Sequence, residues 1–140
     1  MITKTRTNVY DFNFNLVWVT KYRTSIFDTK EKVDAMKEIL TTITKEHDII
    51  IQEMEVTSDH IHMLISFNPK HAPSSIVKTL KGKSARLWFK QYPETKALLW
   101  GGHLWSPSYF MSTLGNMSKH TIENYIQNQT KEFNGGRPRR

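Results

Sequence analysis

His60 and His62 stand one residue apart in the stretch Asp59-His60-Ile61-His62-Met63-Leu64. On a β-strand alternate side chains share a face, so both imidazoles would project from the same side. Imidazole with its ordinary pKa of about 6.5 is neutral and free to coordinate near pH 7. Two of them on one face can compete for a single cation. The same spacing also fits two ordinary strand histidines, and spacing alone leaves both readings open. Ile61, Met63, Ile65 and Phe67 alternate with them and form a wholly apolar side. That side calls for burial, which leaves the histidine side for chemistry. His47, His71, His103 and His120 show no such pairing and read as surface or structural residues.

A second group lies near the C-terminus. Ile122, Tyr125, Ile126, Gln129 and Phe133 recur at helical spacing and form one stripe. Tyr125 and Gln129 are four apart and are therefore neighbours on that surface. A buried amide needs partners, and for Gln129 these are either a metal ion or backbone groups. Tyr125 reads either as plain core or as a phenol with work to do. With no cysteine in the chain, disulfides, thiolate zinc sites and a thiol nucleophile are excluded.

The charge balance indicates the kind of partner. Twenty lysines and arginines against 13 carboxylates give a net charge of +7. Such an excess favours a polyanion, nucleic acid first and an anionic membrane second. The excess concentrates between Lys70 and Lys90, which hold six Lys/Arg and no carboxylate. Lys81, Lys83, Arg86 and Lys90 are the candidate phosphate contacts there, with a plain solvated face as the alternative. Trp100, Trp105 and Tyr109 offer rings either for stacking on unpaired bases or for the core. The N-terminal MITKTRTNVY lacks an apolar signal core. No stretch approaches the roughly 18 apolar residues of a membrane span, so no membrane role and a cytoplasmic location are expected.

The elements that must position these groups follow from periodicity. Phe12 to Tyr22 alternates as a strand, with Phe12, Phe14, Leu16 and Trp18 on one face and Val17 and Val19 on the other. Asp28 with Glu31 suggests a capping box, opening a helix to about His47 with Val33, Met36, Ile39, Leu40 and Ile43 at helical spacing. Ile49 to Val56 and His60 to Phe67 are strands joined by the turn Thr57-Ser58-Asp59. Asp59 reads as a turn former or as a carboxylate that orients a histidine. Pro73 opens a second helix towards Tyr92, with Gly101 and Gly102 in the loop beyond it. Ser108 to Leu114 is a fourth strand, and Ser118 caps a last helix to about Phe133. The order β-α-β-β-α-β-α predicts an α+β fold: a ferredoxin-like, RRM-like antiparallel sheet plus a C-terminal helix carrying Tyr125. One face would be covered by two helices and the other left open. A single domain over 1–134 is expected, with 135–140 a short basic tail.

Taken together, the histidine pair on a central strand and a tyrosine on a late helix with glutamine four residues on resemble the HUH single-tyrosine transposases of the TnpA type. Val17-Trp18-Val19-Thr20-Lys21-Tyr22-Arg23, Leu80-Lys81-Gly82-Lys83-Ser84-Ala85-Arg86 and the run from Leu99 to Phe110 are also similar to that family. The likeness extends from about Tyr10 to Lys131 and shows no departure at the catalytic positions.

The resemblance implies that His60, His62 and Gln129 bind one divalent metal ion, Mg2+ or Mn2+, and that Tyr125 is the nucleophile. It implies single-stranded DNA cleavage and strand transfer through a 5′-phosphotyrosine, with hairpins near element ends as the recognised partners. It implies a homodimer in which one subunit's tyrosine helix can complete the other's histidine site. Three rivals remain: a non-catalytic RRM-like nucleic-acid module, which would carry stacking aromatics where His60 and His62 stand; a domesticated, repeat-associated tyrosine transposase; and a structural metal protein, which would leave Tyr125 and the basic helix unexplained.

Overall fold

The run Asn13–Val19 is rich in the β-branched and aromatic residues that pack well on a pleated surface. It forms the strand around which the rest is built. The structure, a computed structural model, describes residues 3–4, 9–10, 13–113 and 123–128. The order is β1 (Thr3–Lys4), β2 (Val9–Tyr10), β3 (Asn13–Val19), α1 (Lys30–Glu46), β4 (Ile50–Val56), β5 (His60–Ser66), α2 (Pro73–Gln91) and β6 (Phe110–Thr113). A helical segment at 123–128 follows. β1 and β2 pair with each other in a separate ribbon too short to leave a periodic signal. The other four strands make one antiparallel sheet in the order β4-β5-β3-β6. This is the ferredoxin-like arrangement that the succession of elements predicts.

Register decides which face each residue serves. Phe14 pairs with Ile65, Leu16 with Met63 and Trp18 with Ile61, so all six point one way. They meet Met36, Leu40 and Ile43 of α1 and Ile76, Leu80 and Trp88 of α2 in one buried cluster. Phe27 adds an edge-on contact with the Trp88 ring at 4.9 Å. Each fully buried aliphatic or aromatic side chain here stabilises the fold by about 1.5–3 kcal/mol. Among the described residues no helix is long and apolar enough to cross a membrane.

Several details differ from the sequence expectation. Thr29, not Asp28, caps α1, its hydroxyl accepting from the Lys32 N–H at 3.2 Å. Asp28 instead pairs with the Lys32 ammonium at 3.1 Å, so the Asp28–Glu31 box does not form. Threonine is a serviceable N-cap, and one residue of frame is within its reach. β3 ends at Val19 because the chain turns at once through Lys21–Arg23, where Tyr22 and Arg23 take φ of 60° and 54°. β6 starts at Phe110 rather than at Ser108. The loop holding Gly101 and Gly102 contains short 3-10 turns at Pro93–Leu98 and Trp100–Gly102.

The second sheet face is less open than expected. Val17 and Val19 are buried there beneath Ile126 of the 123–128 segment, with Phe110 and Tyr125 packed alongside. All of β3 is therefore buried. The face stays accessible over β4 and β5, where Glu53 and Glu55 are exposed and His60 and His62 half-buried. Phe12, Leu114, Ser118, Ile122, Gln129, Phe133 and the tail 135–140 lie outside the described residues.

Candidate active site

β5 carries both histidines on the sheet face opposite the main core. Register pairs His62 with Val17 and with Glu55, and His60 with Val19. The two imidazoles have different surroundings. Nδ1 of His60 lies 3.0 Å from Oδ1 of Asp59 and 2.7 Å from the Thr57 hydroxyl. The Arg23 guanidinium holds Oδ2 of the same carboxylate at 3.0 Å from Nε and from Nη2. Burial alone would raise the Asp59 pKa; the His60 hydrogen bond and the Arg23 charge outweigh it and hold it below the usual value. An ionised carboxylate only accepts, so Nδ1 carries the hydrogen and Nε2 presents its lone pair. The Asp59 backbone carbonyl accepts from Thr20 N at 2.9 Å, beside the end of β3, while the turn is closed by Thr57 N donating to the His60 carbonyl at 3.0 Å.

His62 Nε2 lies 3.2 Å from Oδ1 of Asn15. Burial pushes the His62 pKa down; Glu55 and Glu53 pull it up, and His60 adds to the lowering. The net result is a neutral ring at pH 7. That is the protonation state that coordination of a cation needs. Among the described residues no group of three His, Asp or Glu is arranged to hold a metal ion. Gln129, the third ligand that the resemblance implies, falls outside the described residues.

Tyr125 sits on the same side of the sheet. Its ring is 5.8 Å from that of Phe110, and its hydroxyl is 3.0 Å from the Ser108 hydroxyl. Phe110 and His62 occupy one cross-strand row, both opposite Val17. Two strand spacings separate them, roughly 10 Å. The fold thus brings the histidine pair and Tyr125 onto one surface, although at least 63 residues separate them in sequence.

The basic residues of α2 divide. Lys81 is turned inward and donates to the carbonyls of Ser106 at 2.7 Å and Ser108 at 3.0 Å. Burial lowers its pKa from 10.5 to about 8. Lys83 donates to Nε2 of His47 at 2.9 Å. Arg86 and Lys90 are exposed. Of the three candidate stacking rings, Trp105 belongs to the core, with its Nε1 donating to Ser84 at 3.0 Å. Trp100 is 66% and Tyr109 39% exposed. Sequence reasoning missed Arg23, Thr57, Asn15 and Ser108. Only Arg23 and Ser108 had a signal, since they lie in stretches that resemble the family.

Comparison with known proteins sets this arrangement in context. The profile described as "Transposase IS200 like" matches residues 8–129. The ISDra2 transposase TnpA of Deinococcus radiodurans is 40% identical over 126 residues, 90% of this chain and 89% of that one. A crystal structure of a transposase from Deinococcus radiodurans superposes with a TM-score of 0.83 at 38% identity, covering 91% of this chain and 97% of the other. The structure of a REP-associated tyrosine transposase bound to a REP hairpin shares the fold, with a TM-score of 0.52 at 13% identity over 97% of this chain and 75% of its own. The class is that of the tyrosine transposases. Within it, this chain belongs to the IS200-like family of insertion-sequence transposases.

Proposed function

We propose that this transposase cuts and rejoins single-stranded DNA with Tyr125 as its nucleophile and one divalent cation, Mg2+ or Mn2+, held by His60, His62 and Gln129. The observation that carries this reading is the shared sheet face: the Asp59-oriented histidine and its neighbour lie on the same surface as the Tyr125 phenol. The donors suit such a cation. His60 offers Nε2, and His62 is neutral and offers Nδ1, or Nε2 once Asn15 is released. Nitrogen and amide oxygen without thiolate favour magnesium or manganese over a structural zinc. When bound, the cation supplies Lewis acidity at the phosphate.

The chain's own residues supply the rest. The Tyr125 phenol oxygen attacks phosphorus in line, losing its proton as the new O–P bond forms. The bond from phosphorus to the 3′-oxygen breaks, and that oxygen leaves as a 3′-hydroxyl. The product is a 5′-phosphotyrosine that keeps the phosphodiester's energy. A 3′-hydroxyl on another strand reverses the step, joining the ends and restoring the phenol without ATP. Asp59 fixes the His60 ring, and Arg23 fixes Asp59.

The DNA partner in this reading carries hairpins near the element ends, in keeping with the REP hairpin bound by the transposase that shares the fold. Arg86 and Lys90 supply exposed charge for its phosphates. A homodimer belongs to this reading, with the tyrosine helix of one subunit able to serve the other's histidine pair. Incubating the protein with a labelled hairpin oligonucleotide, with Mn2+ or with EDTA, tests the proposal. Metal-dependent nicking with a covalent protein–DNA adduct is expected. Binding without nicking under every metal condition overturns it in favour of a non-catalytic module.

A further inference from the structure

Lys81 is an unusual lysine. Its ammonium reaches away from the exposed face of α2 to the carbonyls of Ser106 and Ser108. Beside it the Trp105 indole donates to Ser84, one turn along the same helix. On its other side the 104–106 stretch is tied to the end of β3, through Lys21 N to Leu104 O at 2.8 Å and Ser106 N to Val19 O at 3.0 Å. The segment is thereby clamped between the helix layer and the sheet. At its far end the Ser108 hydroxyl meets the Tyr125 hydroxyl at 3.0 Å.

We infer that Ser108 is a positioning residue for the Tyr125 phenol and that Lys81 acts through it, by fixing the Ser108 backbone from α2. The inference rests on the reading of Tyr125 as the nucleophile and deepens it. Attack on phosphorus needs the phenol oxygen held within a narrow cone in line with the leaving oxygen. A tyrosine has two free torsions in its side chain. A hydroxyl partner on a clamped backbone restricts where its oxygen can go. Lys81 contacts the carbonyl and not the hydroxyl of Ser108, so its part is to hold a backbone and not to relay a proton. The burial of its ammonium, which draws its pKa to about 8, is accounted for by this use.

The test compares single-turnover adduct formation on a labelled hairpin oligonucleotide with Mn2+, for wild type, Tyr125→Phe, Ser108→Ala, Ser108→Thr, Lys81→Met and the double variant Ser108→Ala/Lys81→Met. Ser108→Ala is expected to slow adduct formation about three- to tenfold, the range of one hydrogen bond, with unchanged oligonucleotide KM. Ser108→Thr, which keeps the hydroxyl, restores the rate. Lys81→Met slows the reaction similarly, and the double variant is no slower than the slower single, as expected for residues acting in series. Wild-type rates in Ser108→Ala, a defect confined to KM, or multiplying defects in the double variant overturn the inference. Should Lys81→Met fail to fold, Ser108→Ala and Ser108→Thr decide alone. An adduct in Tyr125→Phe, or none in wild type, removes the nucleophile reading and this inference with it. A normal wild type and an inactive Tyr125→Phe beside a fully active Ser108→Ala remove the inference only.

Discussion

The Asp59 carboxylate and the His60 imidazole meet at 3.0 Å, Oδ1 to Nδ1, while Arg23 grips the other carboxylate oxygen. The ring is thereby fixed in both tautomer and direction. Asp59→Asn keeps the size of the side chain but lets an amide face the ring nitrogen. Mn2+ affinity measured by calorimetry should fall about 10- to 100-fold, as for other groups that orient a ligating histidine. An unchanged affinity would reduce Asp59 to its turn-forming role.

His60→Ala and His62→Ala should each lower Mn2+ affinity and oligonucleotide cleavage together. Gln129→Ala should have a milder effect, because water can replace one neutral ligand. Calorimetry with Mn2+ beside a gel cleavage assay reads both quantities. A histidine variant that loses cation binding yet cleaves at the wild-type rate would separate the metal from the chemistry.

Tyr125→Phe removes one oxygen and keeps the ring against Phe110. Oligonucleotide affinity should stay within about twofold and the melting temperature should shift little, since the half-buried hydrogen bond to Ser108 is worth about 1 kcal/mol. The band of covalent protein–DNA adduct on a denaturing gel should vanish.

Arg86 and Lys90 are exposed, whereas Lys83 is engaged with His47. Arg86→Ala and Lys90→Ala should each reduce the slope of log affinity against log salt by about 0.7 for a single strand. Lys83→Ala should change it less. A salt titration by fluorescence anisotropy gives the three slopes.

Lys81 contributes a pH dependence to stability. Its folded pKa of about 8 lies below its ordinary 10.5. Between these values the unfolded chain binds more protons than the folded one, so the unfolding free energy rises with pH. Below about pH 8 both states are protonated and the cost of the buried charge is fully present. Urea midpoints from pH 8 to 10 should therefore rise for wild type relative to Lys81→Met. Parallel curves for the two would show that Lys81 keeps its ordinary proton affinity.

The sheet and its two covering helices were legible because their signals are periodic. The alternation in β3 and β5 and the stripes of α1 and α2 each repeat over several turns or pleats. The faces of His60 and His62 followed from the same alternation. Tyr125 was legible as one member of a helical stripe, and its half-buried place beside Ile126 agrees with that reading. What periodicity could not supply was the pairing of particular polar groups. The Arg23–Asp59 contact depends on two left-handed residues after β3, for which neither tyrosine nor arginine carries a signal. Lys81 looked like its neighbours Lys83 and Arg86, since a sequence does not say which way a long side chain folds. The cover over Val17 and Val19 depends on where the last helical segment docks, a contact between distant parts of the chain.

The left-handed pair at Tyr22 and Arg23 also links the fold's durability to its chemistry. Each non-glycine residue in that region costs on the order of 1 kcal/mol, and the second of them carries the guanidinium that grips Asp59. A Tyr22→Gly chain would relax this corner and hold Arg23 less firmly. Greater thermal endurance and a looser imidazole would then arrive in the same molecule, so the hardiest version of this enzyme need not be its fastest.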